Sequence, residues 1–113
     1  MIHGKKHWLY HRFSAIFLVP LMLWLIYSLS LINLLSYENI VLWIGNTTNF
    51  ILLFIIIIIS AIHFQLGIQV ILEDYISQVE KRNFYIKLLH VIYLIFCLLG
   101  LSSISIIYFG VQI

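Results

Sequence analysis

Three long apolar runs, at residues 13–35, 50–72 and 85–109, limit this chain to very few folds. About 20 residues at 1.5 Å each carry a helix across a hydrocarbon core of roughly 30 Å, and every run meets that length. The first two contain no Asp, Glu, Lys or Arg. Runs this continuous lack the in-and-out alternation of a membrane barrel strand, and lipid offers no partner to an unpaired backbone group. The expectation is an all-α membrane protein of three transmembrane helices in a single domain over 1–113. Even the β-branched stretch 55–59 should be helical, because internal hydrogen bonding outweighs strand propensity in lipid. Pro20 lies inside the first run, where neighbouring helices can satisfy the carbonyl it frees.

Composition closes the alternatives. Of 113 residues, 64% are hydrophobic and 9% charged, against about half and a quarter in ordinary soluble domains. A chain this short has too little interior to hide that surface from water, and disorder requires the opposite balance. A formal charge of +2, with basic residues scattered among apolar ones, leaves no electrostatic footprint for nucleic acid. Cys97 is the single cysteine and forms no internal disulfide.

Charge also orients the chain. Lys5, Lys6 and Arg12 precede the first run, and Lys81, Arg82 and Lys87 follow the second. The segment between the first two runs and the C-terminal end carry no basic residue. The positive-inside rule then puts the N-terminus and the second connection on the cytoplasmic or matrix side. Polar breaks at 36–39 and 45–49 separate the first two spans, with 40–44 expected at the interface. The first run exceeds a signal-peptide core and lacks a small-residue cleavage site, so it is expected to remain as a span.

His63 is the one ionisable residue well inside a run, about 14 Å from the boundary at Leu72 by helix rise. An imidazole that deep either bonds a neighbouring helix or ligates a metal such as haem iron. At 100° per residue, Ser60, Gly67, Val70 and Asp74 fall within roughly 60° of it. Gly67 removes a side chain beside the imidazole, as a flat macrocycle or a close helix contact requires. Glu73, Asp74 and Tyr75 stand where the span meets water. They serve as interfacial anchors or as a quinone site, with Tyr75 donating to a carbonyl and a carboxylate supplying protons.

Near the N-terminus, Trp8 and Tyr10 have headgroup character, and Arg12 either anchors the span or turns inward to a carboxylate such as a haem propionate. His3, His7 and His11 recur every fourth residue. They are expected to be solvated interfacial side chains rather than a metal site, having no acidic or cysteine companion. His90 lies in the third run at a shallower depth than His63, so a six-coordinate haem should draw its second ligand from another chain.

Two stretches resemble a known family. His7 and Trp8, followed by Arg12 and by Ser14, Ala15 and Ile16, are similar to the His-Trp and Arg-x-Ser/Thr start of the first helix in the D-type hydrophobic anchors of succinate dehydrogenase, respiratory complex II. His63, Gly67, Asp74 and Tyr75 resemble the same family's His-x10-Asp-Tyr pattern. The resemblance implies that His63 is an axial ligand of haem b and that Tyr75 bonds the ubiquinone carbonyl. It further implies that Asp74 is the acidic neighbour of that tyrosine and that Arg12 stands near the haem. It implies a C-type anchor, an iron–sulfur subunit and a flavoprotein as partners, no succinate chemistry in this chain itself, and a mitochondrial inner or bacterial cytoplasmic membrane. The competing expectation from another class is a small transporter or pore subunit with a proton path through His63 and Asp74.

Overall fold

A computed structural model describes residues 2–113, with side chains described at residue 6 and from residue 8 onward. Four helices follow in order: α1 (Ile2–Ser30), α2 (Tyr37–Gly45), α3 (Thr47–Tyr75) and α4 (Val79–Gln112). No strand occurs among the described residues. Three of the helices are long and apolar enough to cross a membrane, over Trp8–Ser30, Thr47–Tyr75 and Val79–Gln112. The 34 residues of α4 give about 51 Å of helix, equal to the longest dimension of the molecule, 51 × 24 × 22 Å.

The helix ends differ from the ends of the apolar runs because local hydrogen bonds, not hydropathy, set them. α1 stops at Ser30, short of the apolar limit at residue 35. There the Ser30 hydroxyl donates to the Tyr27 carbonyl at 2.6 Å, and the amides of Leu31 and Ile32 bond carbonyls three residues back at 3.3 Å. Asn33 then accepts the Leu35 amide at 3.0 Å, an Asx turn that leads the chain out of the helix. Ser36 accepts the Asn39 amide at 3.3 Å and starts α2. The polar stretch at 36–39, read from sequence as a break, is thus mostly the first turn of an interfacial helix.

Asn46 joins α2 to α3 without a loop. Its backbone amide bonds the Trp43 carbonyl at 3.3 Å, while its side chain accepts from Asn49 at 3.2 Å. One residue therefore closes a helix and caps the next. At the other end only residues 76–78 separate α3 from α4.

α3 lies between α1 and α4, packing on both, and α2 folds across α3 and α4. Trp43, Ile44 and Ile104 form the buried cluster, surrounded by partly buried side chains that include Trp24, Leu29, Phe50 and Tyr108. Polar contacts fasten the same end: Trp43 Nε1 donates to Ser28 at 2.8 Å, Thr47 meets the Tyr108 hydroxyl at 2.8 Å, and Gln112 donates to the Gly45 carbonyl at 2.7 Å. The start of α1 and the α3–α4 connection share the opposite end, which bears Lys6, Arg12, Lys81, Arg82 and Lys87. Most large apolar side chains on α1 and α4 stay exposed, as expected where lipid or other helices replace water.

Candidate functional site

The candidate site lies between α1 and α3, toward the basic end. α3 turns His63 to α1, where Nδ1 meets the Ser14 hydroxyl at 2.8 Å. That hydroxyl also donates to the His11 carbonyl one turn back, at 2.7 Å. His11, on the same face of α1, lays its imidazole over that of His63 with centroids 4.3 Å apart and planes 8° from parallel. The Phe64 ring stands edge-on to His63, with centroids 6.1 Å apart. Gly67 sits one turn along α3, and a methyl there would come within 3.3 Å of His11 Nε2. The space beside Gly67 holds the His11 ring, a close contact between helices.

The other sequence candidates occupy separate places. Arg12 is exposed, and its guanidinium stacks over Trp8 at 5.1 Å from the ring centroid, a cation–π contact. Together with Leu9, Phe13 and Ile16 they line an open hollow of about 270 Å³ on α1. Among the described residues Arg12 pairs with no carboxylate. Asp74 and Tyr75 end α3 and are exposed, Tyr75 to 84%. Glu73, beside them, accepts a 3.3 Å bond from Gln69. Helix rise separates Tyr75 from His63 by about 18 Å.

His90 and His63 make different contacts. His90 lines a hollow of about 340 Å³ between α3 and α4 with Gln65, Tyr93 and Cys97, whereas His63 bonds to α1. His11 touches His63 but could not ligate the same iron in this arrangement, because an imidazole donates in its ring plane and these rings lie face to face. The side chains of His3 and His7 fall outside the described ones. Among the described residues no group of three or more His, Cys, Asp or Glu is gathered to hold a metal ion.

Sequence reasoning misses His11 and Ser14 as neighbours of His63. Ser14 enters it only as part of the helix-start pattern, and its signal is visible afterwards: it is the one hydroxyl-bearing residue between Phe13 and Ile26.

The model of the succinate dehydrogenase/fumarate reductase transmembrane subunit family matches residues 2–101. The chain belongs to this family. A succinate dehydrogenase hydrophobic membrane anchor subunit of Rickettsia bellii is 46% identical over 81 residues, covering 71% of this chain and 64% of that protein. The corresponding subunit of Rickettsia felis is 36% identical over 101 residues, covering 88% and 80%. A succinate dehydrogenase membrane anchor subunit of Reclinomonas americana is 33% identical over 92 residues, covering 79% and 77%. The chain therefore spans just under two thirds of the Rickettsia bellii anchor. No solved structure matches. Like other succinate dehydrogenase/fumarate reductase transmembrane subunits, this chain is a membrane protein built from apolar helices.

That family identity directs attention to haem, which the donor set accommodates. His63 offers one imidazole in mid-helix, its Nδ1 occupied by Ser14, and no described residue hydrogen-bonds its Nε2. A single ring nitrogen facing no protein partner is what an axial ligand requires.

Proposed function

We propose that the chain is the D-type membrane anchor of a succinate:quinone oxidoreductase. In this reading it docks a flavoprotein and an iron–sulfur subunit and pairs with a C-type anchor in a bacterial cytoplasmic or mitochondrial inner membrane. The N-terminus faces the cytoplasm or matrix, in keeping with the basic residues gathered at that end. One observation carries the reading: a histidine in the middle of an apolar helix, held through one nitrogen, within a chain whose relatives are succinate dehydrogenase anchors.

His63 would hold haem b through Nε2, and the partner anchor would supply a second ligand. Gly67 lies one turn along α3 from His63, and Arg12 stands at the headgroup depth of a propionate. Bound haem supplies a one-electron carrier inside the bilayer. At the wet rim, the Tyr75 hydroxyl donates to a carbonyl of ubiquinone, and Asp74 passes protons from solvent to the reduced oxygen. The chain itself performs no succinate chemistry.

Purification of the assembled complex from native membranes, with its visible spectrum, is the first test. The dehydrogenase subunits should accompany the chain, and His63→Leu should abolish or shift the haem bands. Self-assembly without those subunits and without haem would favour a transporter instead. Tyr75→Phe should slow quinone reduction by up to about ten-fold, the worth of one hydrogen bond, while leaving dye-coupled succinate oxidation intact. Equal loss of both activities would reveal an assembly defect and remove Tyr75 from the quinone site.

A further inference from the structure

Ser14 is the one buried polar side chain among the described residues, 8% exposed on a helix most of whose large apolar side chains are exposed. A hydroxyl has a single proton to give. Its oxygen lies 2.7 Å from the His11 carbonyl and 2.8 Å from His63 Nδ1, and a carbonyl only accepts. With the proton donated to the carbonyl, Oγ accepts from Nδ1–H and both contacts are hydrogen bonds. With the proton turned to Nδ1, only one of the two hydrogen bonds remains, while Nε2 has no described partner in either tautomer. The two-bond arrangement wins. A neutral imidazole protonated at Nδ1 carries its lone pair on Nε2, in the ring plane.

From this relay we infer that Ser14 is a positioning residue for the metal-binding nitrogen of His63, with His11 holding the plane of the ring. Ser14 selects the tautomer and fixes rotation about the side chain. The His11 ring lies against one face, and Gly67 leaves the space that ring occupies. Donation from Nδ1–H to Oγ also makes Nε2 a stronger donor to iron, which favours the oxidised metal. The inference rests on the haem reading above and adds to it the residues that aim the ligand.

The test uses the assembled complex with Ser14→Thr and Ser14→Val, two side chains of equal shape that differ in the hydroxyl. Haem content per flavin and the haem midpoint potential are measured, with His63→Leu as control. Thr should match the parent. Val should lower haem retention by about ten-fold or more, as loss of such a supporting bond to a metal-ligating histidine does. It should also raise the midpoint potential, by about 59 mV for each ten-fold loss of preference for the oxidised iron. Unchanged haem content and potential in the Val complex would overturn the role of Ser14. So would failure of the Val complex to assemble while the Thr complex forms, since the hydroxyl would then serve helix packing. Retention of normal haem bands by His63→Leu would instead sink the haem reading itself, so the two failures are distinguishable.

Discussion

At Gly67 the question is what a single methyl would displace. The nearest atom is the far end of the His11 ring, 3.3 Å from the added carbon, so the ring must yield by a few tenths of an ångström. Gly67→Ala is expected to destabilise the complex by about 1 kcal/mol, the low end of overpacking costs. A second change, His11→Ala, should recover most of that loss by removing the ring, and thermal midpoints of the parent and the three variants would measure the coupling. Additive losses would show that the methyl meets something else. His63 was legible in the sequence, because an ionisable group in an apolar run has few reasons to be there. His11 and Ser14 were not, because their meeting with His63 depends on how α1 is rotated against α3. In the sequence alone His11 reads as one of several histidines at an interface. Arg12, one residue on, points elsewhere and lies over Trp8.

Among the elements, Asn46 has the most concentrated task. Its side chain caps α3 and its amide closes α2, within a connection that has no spare residue. Asn46→Ala should cost about 1 kcal/mol through loss of the N-cap bond, and Asn46→Asp should retain most of the stability. Hydrogen exchange of the Asn49 amide reports the loss directly. Equal protection in the parent and in Asn46→Ala would mean that the cap bond carries no weight. The long helices were legible because run length alone identifies them. α2 was hidden because it is short, has Glu38 and Asn39 in its first turn, and is bounded by Ser and Asn, which mark a turn and a helix cap with the same letters. The end of α1 was misplaced for a related reason: hydropathy continues to residue 35, while the serine and backbone bonds at 27–32 stop the helix at Ser30.

Over the whole molecule the two ends are held differently. The end with α2 contains the buried cluster and cross-helix polar bonds, whereas the end with His63 is joined through Ser14 and stacked rings. A methyl at Gly45 would come within 2.7 Å of Val111 Cγ1 and 3.0 Å of its Cβ. Gly45→Ala should therefore force α4 from α2 at a cost of about 1–3 kcal/mol, with Val111→Ala as suppressor. Because the two ends share no partners, this pair should leave unchanged the spectrum of the haem proposed at His63; a shifted spectrum would show that the ends are coupled. The extensive exposed apolar surface of α1 and α4 leads to a further expectation. If a second anchor covers those faces, as proposed above, the chain expressed without it should be short-lived in the membrane, and co-expression should lengthen its half-life several-fold in a pulse–chase measurement. Equal half-lives would mean that lipid alone suffices to cover those faces.

A stack clasped at one margin and lightly latched at the other has a consequence for biogenesis. The segments can be threaded into the bilayer and fastened at the far margin before any bulky planar guest arrives. Its arrival then meets an imidazole already held by a hydroxyl and a stacked ring, with no segment withdrawn from the lipid.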